Sequence, residues 1–167
     1  VATRVMIANL TGVSSRGSAM GPMAEVVYES LQHLRDDDIH AMAVYLQALP
    51  RSHPPAPSAG VRVPSAQLGA MRERGGELYA QHCASCHGDR GEGRAPAAPA
   101  LAGNRAVVLG TPVNAIRVLL AGGYPPGTEG NPRPFGMPPY GHIFSNQDAA
   151  DVLTYIRSSW GNDAEPV

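Results

Sequence analysis

Aromatic side chains are scarce in this chain: they make up 5% of the 167 residues, and cysteine occurs only twice. Glycine and proline are abundant instead, with 19 and 16 residues. Such a composition lacks the bulky side chains of a large core, and it is typical of a loop-rich protein whose interior is completed by something else. A large, flat cofactor would supply the missing apolar mass.

The chain also lacks an excess of either charge, since its formal net charge is −1. Without a basic stripe, nothing in the sequence favours a nucleic-acid partner. The near-neutral charge does not favour strong electrostatic steering of a partner either. No apolar run is long enough to cross a bilayer, so we expect no transmembrane segment in this chain.

Apolar residues recur at helical spacing in several stretches. The spacing predicts helices over residues 23–33, 36–49, 65–82, 112–121 and 145–159. Residues 122–142, rich in glycine and proline, are predicted to form a loop. No stretch alternates as a strand does, so we predict an all-α fold with long loops.

A proline-rich stretch divides the chain. Residues 50–64 read PRSHPPAPSAGVRVP, which predicts an extended linker between residues 1–49 and residues 65–167. The two parts are similar near their ends, because residues 34–47 align without gaps with residues 144–157. A loop with a Gly/Pro-flanked methionine precedes each, Met23 in the first and Met137 in the second, which indicates a partial repeat.

The two cysteines belong to the motif Cys83-Ala84-Ser85-Cys86-His87. A thioredoxin-like redox pair would lie near a βαβ unit, and a zinc site needs four ligands. A local disulfide would leave His87 unexplained. C-x-x-C-H is the signature of covalent c-type haem, in which the thiols add to the porphyrin vinyl groups and the histidine meets the iron. We therefore predict one covalent haem c per chain, held by Cys83, Cys86 and His87.

Residues 66–161 resemble the class I c-type cytochromes well beyond this motif. Gly75-x-x-x-Tyr79-x-x-x-Cys83 is similar to the first helix of that family, and Val152 and Tyr155 stand where the last helix crosses it. The resemblance implies a cytochrome c fold for residues 65–167, with short helices and long loops around the haem.

The resemblance also implies partners for His87. In PAAPALAGN the carbonyl of Pro99 would accept the imidazole N–H, which fixes the ring and raises its basicity. Met137, in RPFGMPPYG before the last helix, matches the distal ligand of the family, and His142 in the same loop is the alternative. Met71 and Met42 lie on helix faces and are predicted to belong to the core.

A histidine and a methionine would fill both axial positions of the iron. A thioether stabilises ferrous iron and raises the reduction potential relative to a bis-histidine site. Because no position stays open for a substrate, we expect an electron-transfer centre and no catalytic residues in this chain.

Residues 19–49 resemble the distal loop and last helix of a further cytochrome domain that lacks its own attachment motif. A partial domain, a linker and a complete domain together resemble the C-terminal part of multi-haem cytochrome subunits of bacterial membrane-bound alcohol, gluconate and glucose dehydrogenases. This implies that Met23 ligates a second haem completed by an upstream segment outside this chain. In the alternative interpretation, Met20 and Met23 simply pack.

The resemblance implies that the chain passes electrons from a periplasmic dehydrogenase to quinone or a terminal oxidase. It also implies a periplasmic location, peripheral to the inner membrane through partner subunits. Two other functions stay open at this stage. One is a haem enzyme with a labile distal ligand, either peroxidase-like or thiosulfate-oxidising. The other is a haem-based redox or gas sensor.

Overall fold

The computed structural model describes residues 11–14, 17–50, 63–95 and 97–167. Two short strands, β1 (Val13–Ser14) and β2 (Gly17–Ser18), form an antiparallel hairpin. The helices are α1 (Pro22–Glu29), a 3-10 turn (Leu31–His33), α2 (Asp36–Ala48), α3 (Ser65–His82), α4 (Ala84–His87), α5 (Val113–Ala121) and α6 (Asn146–Arg157). The prediction of an all-α fold is confirmed, with the small hairpin as its one exception among the described residues. Residues 1–10 and most of the predicted linker lie outside them.

The helix predicted over residues 23–33 is broken at Ser30, whose φ of −134° and ψ of −63° are not helical. A side chain caps the helix end at this point. The Gln32 amide donates to the Tyr28 carbonyl at 2.5 Å, taking the place of a main-chain donor one turn later. The chain therefore leaves α1 and continues as the 3-10 turn before α2.

The close crossing of α3 and α6 organises the C-terminal part of the fold. Gly75 makes this crossing possible, because a Cβ there would collide with the Asp151 carbonyl and lie 2.9 Å from Tyr155 Cβ. Val152 is fully buried at the same place. The Asp151 carboxylate is also buried, and Arg74 donates to it from across the crossing at 2.6 Å. The two helices thus meet backbone to backbone, with one ion pair beside the contact.

An aromatic cluster continues the core from this crossing towards the cysteines. Tyr79 is buried, and its ring centroid lies 5.6 Å from that of Tyr155 and 4.9 Å from that of Trp160. Its hydroxyl donates to the Gly88 carbonyl at 2.6 Å. Burial raises the pKa of Tyr79, so the phenol stays protonated and keeps this hydrogen bond. The end of α3 is thereby joined to the turn that follows the cysteine motif.

Helix α6 begins with the predicted capping residues. The Ser145 hydroxyl accepts from the Asp148 N–H at 3.2 Å, and the Asp148 carboxylate accepts from the Ser145 N–H at 2.9 Å. This reciprocal pair satisfies two N–H groups that a bare helix end would leave free. The sequence signal for the start of α6 is confirmed.

The N-terminal helices leave much of their apolar surface exposed. Val27, Ile39 and Ala43 are buried, whereas eight large apolar side chains of α1, α2 and the residue after α2 are 39–66% exposed. These eight are Met23, Val26, Tyr28, Met42, Val44, Tyr45, Leu46 and Leu49. Met71 is buried as predicted, but the prediction that Met42 belongs to the core is wrong, because nothing described covers that side of α2. No described helix has the length and apolar character that a membrane span needs.

Candidate haem-binding site

Helix α4 is a single turn that carries the cysteine motif. Cys83 lies between α3 and α4, as the C-cap of the first helix and the N-cap of the second. Its carbonyl accepts from the N–H groups of Cys86 at 3.1 Å and His87 at 2.9 Å. Residues three apart on a helical turn are neighbours on its surface, so the two thiols belong to one face. Both cysteines are free, Cys83 buried and Cys86 exposed. No disulfide links them, and among the described residues no group of three or more His, Cys, Asp or Glu side chains is arranged to hold a metal ion.

The His87 ring is held by a main-chain carbonyl. Its Nδ1 lies 2.9 Å from the Pro99 oxygen. Because a carbonyl can only accept, Nδ1 carries the proton, which leaves the lone pair on Nε2. Burial lowers the pKa of His87, and the Pro99 hydrogen bond opposes this effect only in part. The imidazole is thus neutral, oriented, and has one nitrogen able to ligate a metal.

Glycines allow the loop after α4 to fold back onto His87. Gly88 ends α4 with φ of +79°, a left-handed conformation that favours glycine. Gly93 has φ of +75°, and its N–H donates to the His87 carbonyl at 2.7 Å. A Cβ on Gly93 would lie 2.5 Å from the Ala100 nitrogen, so only glycine lets the Pro99 segment come this close. These glycines set the distance between His87 and its carbonyl partner.

The surroundings of the Cys83 thiol are apolar. Cys83 belongs to the hydrophobic core with Val107 and Leu119, and partly buried side chains such as Leu101 and Ile116 pack against this cluster. Burial, with a smaller contribution from Cys86, raises the pKa of the Cys83 thiol to about 11. The free thiol is therefore protonated and poorly reactive in the folded chain, as expected of a cysteine buried among apolar groups.

Hydrogen bonds hold the loop of Met137 on both sides. On the first side, Met137 itself pairs with Gly123 in an isolated antiparallel bridge, with N–H to carbonyl distances of 2.8 and 3.0 Å. On the other side, the N–H groups of Tyr140 and Gly141 donate to carbonyls in the last turn of α5, those of Leu119 and Leu120, each at 3.0 Å. The Met137 side chain is half-buried and packs against the hydrophobic core.

Tyr140 connects this loop directly to the end of α3. Its hydroxyl donates to the His82 carbonyl at 2.8 Å, one residue before Cys83. Its ring also stacks on Phe144, with centroids 5.1 Å apart. Sequence reasoning missed this residue, although an aromatic directly after the Pro-Pro pair of the predicted ligand loop was a usable signal. Tyr140 links the attachment turn to the loop that carries Met137.

Arg157 is a second residue that the sequence did not single out. It is 1% exposed and donates to the carbonyls of Val107, Leu109 and Glu165, the last two at 2.9 Å. Burial lowers its pKa, against the weaker opposing effect of Glu165. The helical spacing from Leu153 to Arg157 could have indicated a buried side chain. Arg157 ties the loop after residue 104 and the C-terminal tail to α6.

The other predicted ligands lie apart from these groups. His142 is exposed in the turn before α6. Met23 is 53% exposed in the first turn of α1, which belongs to the N-terminal segment. Met20, three residues earlier, is half-buried against the loop of Met137. Within the described residues, Cys83, Cys86, His87 and Pro99 form one cluster, and Tyr140 and α5 join Met137 to it.

Comparison with known proteins shows the family of this chain. A family model described as Cytochrome c matches residues 72–160. The chain belongs to the cytochrome c family. The predicted family and fold are thereby confirmed, and the match extends from α3, through the C-x-x-C-H turn and the Met137 loop, to the end of α6.

Curated relatives of the cytochrome c chain carry related names. The cytochrome c subunits of quinone alcohol dehydrogenases from Gluconacetobacter polyoxogenes and Gluconobacter oxydans are 36% and 34% identical to it, and the match covers 92% of this chain. The cytochrome c subunit of gluconate 2-dehydrogenase from Pantoea cypripedii is 36% identical over 92% of the chain. The chain spans about a third of the length of these relatives, namely 34%, 33% and 36%.

Cytochromes c carry covalent haem, and the residues present fit that group. Two free thiols lie on one helical turn, the adjacent imidazole has an available nitrogen, and apolar side chains surround the buried thiol. Haem c supplies a one-electron redox centre, so a haem bound here would give the domain the chemistry of electron transfer. Cys83 and Cys86 would attach the group, His87 is already oriented by Pro99, and the apolar cluster around Cys83 would lie against the porphyrin.

Proposed function

We propose that this chain is the C-terminal part of a cytochrome c subunit that passes electrons from a periplasmic dehydrogenase to quinone or a terminal oxidase. In this proposal Cys83 and Cys86 attach the haem, and His87 and Met137 are its axial ligands. Residues 65–167 form the complete haem domain, residues 50–64 the linker, and residues 1–49 part of another domain.

One observation carries the proposal for the proximal side. The imidazole of His87 follows a free Cys-x-x-Cys turn, and its Nδ1–H is bound to Pro99 at 2.9 Å. A histidine that ligates a metal almost always donates its other N–H to a carbonyl, carboxylate or water, because this bond fixes the ring and strengthens the ligand. A histidine with a purely structural role could have the same carbonyl partner, but it would not need two free thiols beside it. The combination therefore favours a haem ligand.

The distal side is supported by the way the Met137 loop is held. Main-chain bonds to Gly123 on one side and to the end of α5 on the other restrict this loop. A restricted methionine loop keeps the iron six-coordinate, which favours electron transfer over the binding of small ligands. His142, in contrast, is exposed and lies in a turn beyond this restricted part.

Replacing each candidate ligand separately tests the distal assignment. Met137→Ala should abolish the weak red charge-transfer band that thioether sulfur gives on ferric haem. It should also lower the reduction potential and let the reduced protein bind carbon monoxide. His142→Ala, in the same loop, should keep the band and the potential of the parent. Loss of the band in His142→Ala and not in Met137→Ala would reverse the assignment.

The same measurements separate the carrier from the alternative functions. An electron carrier with two protein ligands binds carbon monoxide weakly or not at all. Rapid, stoichiometric binding to the reduced parent protein would favour a haem enzyme or a gas sensor and would contradict the proposal.

We also propose that Met23 is the distal ligand of a second haem whose attachment motif lies upstream of this chain. The exposed apolar side chains of α1 and α2 support this, since a complete domain would cover them. So does the greater length of the relatives, of which the chain spans about a third. The upstream segment would then pack on the same apolar face.

Haem counting and one substitution test this second site. The chain alone should contain one haem, because it has a single attachment motif. In the full-length subunit, Met23→Ala should remove the thioether band of one haem and leave that of the Met137 haem intact. An unchanged band in that variant would mean that Met23 only packs.

The proposed partners and location follow from the relatives' names and from the chemistry of attachment. The relatives named above are cytochrome subunits of alcohol and gluconate dehydrogenases, so a dehydrogenase subunit is the proposed electron donor. Haem attachment to C-x-x-C-H implies the periplasm. Copurification from a bacterial membrane fraction, with identification of the accompanying subunit, tests both.

A further inference from the structure

The segment Thr11–Met20 contrasts with the helices that follow it. Each of its described residues is buried or half-buried, whereas most of α1 and α2 is exposed. It ends two residues before α1, and its two strands form the only sheet among the described residues. The segment therefore packs against something, and the glycine environments identify the neighbour.

That neighbour is the loop that leads to Met137. Gly12 has φ of +71°, and a Cβ there would collide with the ring of Pro126. A Cβ on Gly130 would lie 2.6 Å from the Thr11 methyl group. The buried hydroxyl of Thr128 donates to the Thr11 carbonyl at 3.2 Å. The start of the segment is thus in close contact with residues 126–130.

The end of the segment reaches the bridge of Met137 itself. A Cβ on Gly123 would lie 2.9 Å from the sulfur of Met20, so this side chain lies directly on the Gly123 backbone. Gly123 is the residue that pairs with Met137 through two main-chain hydrogen bonds. While these two hydrogen bonds stay intact, movement of the Met137 main chain moves Gly123 against Met20.

We infer that the segment Thr11–Met20 is a positioning element for Met137, which holds the distal loop closed from outside the haem domain. The inference rests on the proposed ligation of iron by Met137. Beyond the isolated bridges, residues 122–137 contain no helix or strand, so the loop opens locally at a free energy that its few contacts determine. Contacts from the segment raise that free energy and lower the fraction of haem whose sixth position is open.

A pair of glycine substitutions in the haem-loaded chain tests this. Gly12→Ala places a methyl group into Pro126 and forces a left-handed residue to carry a side chain, so the segment has to leave the loop. Gly17→Ala is the control within the same segment, because a Cβ there meets nothing within 4 Å and the residue has no positive φ. Met20→Ala removes only the contact between the thioether and Gly123. It is the second test variant if Gly12→Ala yields too little folded protein.

The measurement is imidazole binding to the ferric protein, followed through loss of the thioether charge-transfer band. Imidazole binds only when the sixth position is open, so its apparent affinity follows the open fraction. We expect Gly12→Ala to raise that affinity about fivefold or more, the lower end of typical coupling between sites, and Gly17→Ala to leave it unchanged. Met20→Ala should change it in the same direction.

The outcomes separate this inference from the proposed function. If the parent shows no thioether band, or Met137→Ala keeps it, the proposed ligation is wrong and the inference falls with it. If the band belongs to Met137 but both Gly12→Ala and Met20→Ala bind imidazole like the parent, the positioning role alone is refuted. A loss of urea stability without a change in imidazole affinity would likewise refute it, since it would show a purely structural contact.

Discussion

The crossing of α3 and α6 allows a sharp test, because three glycines of one helix differ only in what lies beside them. Gly75→Ala would place a methyl group against the Asp151 carbonyl and 2.6 Å from its carbon. Gly69→Ala, six residues earlier in α3, meets nothing within 4 Å. Gly76→Ala is intermediate, with the Tyr155 ring 3.2 Å away. All three gain the same helix propensity.

The expected magnitudes follow from two opposing effects. Replacing glycine by alanine inside a helix stabilises it by about 1 kcal/mol. Overpacking a tight contact costs about 1–3 kcal/mol, and the upper value applies to Gly75 because main chain cannot move aside as a flexible side chain can. We therefore expect Gly75→Ala to lose about 2 kcal/mol net and Gly69→Ala to gain up to about 1 kcal/mol.

Urea unfolding of the haem-loaded chain, followed by far-UV circular dichroism, measures this difference. With a denaturant slope of about 1–3 kcal/mol per molar urea, a gap of about 3 kcal/mol separates the two midpoints by about 1 M or more. Gly76→Ala should lie between them. If Gly75→Ala were as stable as Gly69→Ala, the close backbone contact would not exist and the described crossing would be wrong.

Two further predictions concern α6. The Ser145 hydroxyl and N–H lower the pKa of Asp148 below its ordinary value of 3.8. The ionised carboxylate therefore stabilises the folded chain fully above pH 3.8, and this contribution is lost as the pH falls through the lowered pKa of the folded state. Asp148→Asn should therefore reduce the urea midpoint at neutral pH. The difference between the midpoints of variant and parent should shrink at a pH below the folded pKa of Asp148. A difference that persisted at that acid pH would contradict the titration argument. Arg157→Lys keeps the charge but cannot reach three separate carbonyls, and should cost about 2 kcal/mol in urea unfolding, since each unsatisfied buried acceptor costs about 1–3 kcal/mol. Full stability of Arg157→Lys would mean that charge alone matters.

Local patterns predicted the helices well where each signal acts over a few residues. The capping pair Ser145 and Asp148 placed the start of α6, and the spacing of apolar residues placed α3 at Ser65–His82. The break at Ser30 was missed because the spacing of apolar residues does not show which hydrogen bonds end a helix. The hairpin was missed because its strands are two residues each, too short for alternation.

Packing against distant residues was not predictable in the same way. Met42 has the helical spacing of a core residue, yet it is 39% exposed, because burial depends on whether a partner covers that side of α2. Arg157 has the charge of a surface residue, yet it is buried, because three carbonyls from two other segments converge on it. The helical spacing from Leu153 can indicate that Arg157 is buried, but no neighbour in sequence shows which carbonyls it reaches or which side of α2 stays uncovered.

The sequence is enough to predict the attachment chemistry, because the motif Cys83-Ala84-Ser85-Cys86-His87 requires only two thiols and an imidazole on one helical turn. Local hydrogen bonds form that turn. Only the tertiary structure shows which distant groups meet that turn, and of these the family resemblance implied Pro99 but not Tyr140. The Pro99 carbonyl reaches His87 through positive-φ glycines, and Tyr140 joins the Met137 loop to the end of α3. Such contacts depend on the close approach of segments far apart in the chain, and no short pattern of residues encodes that approach.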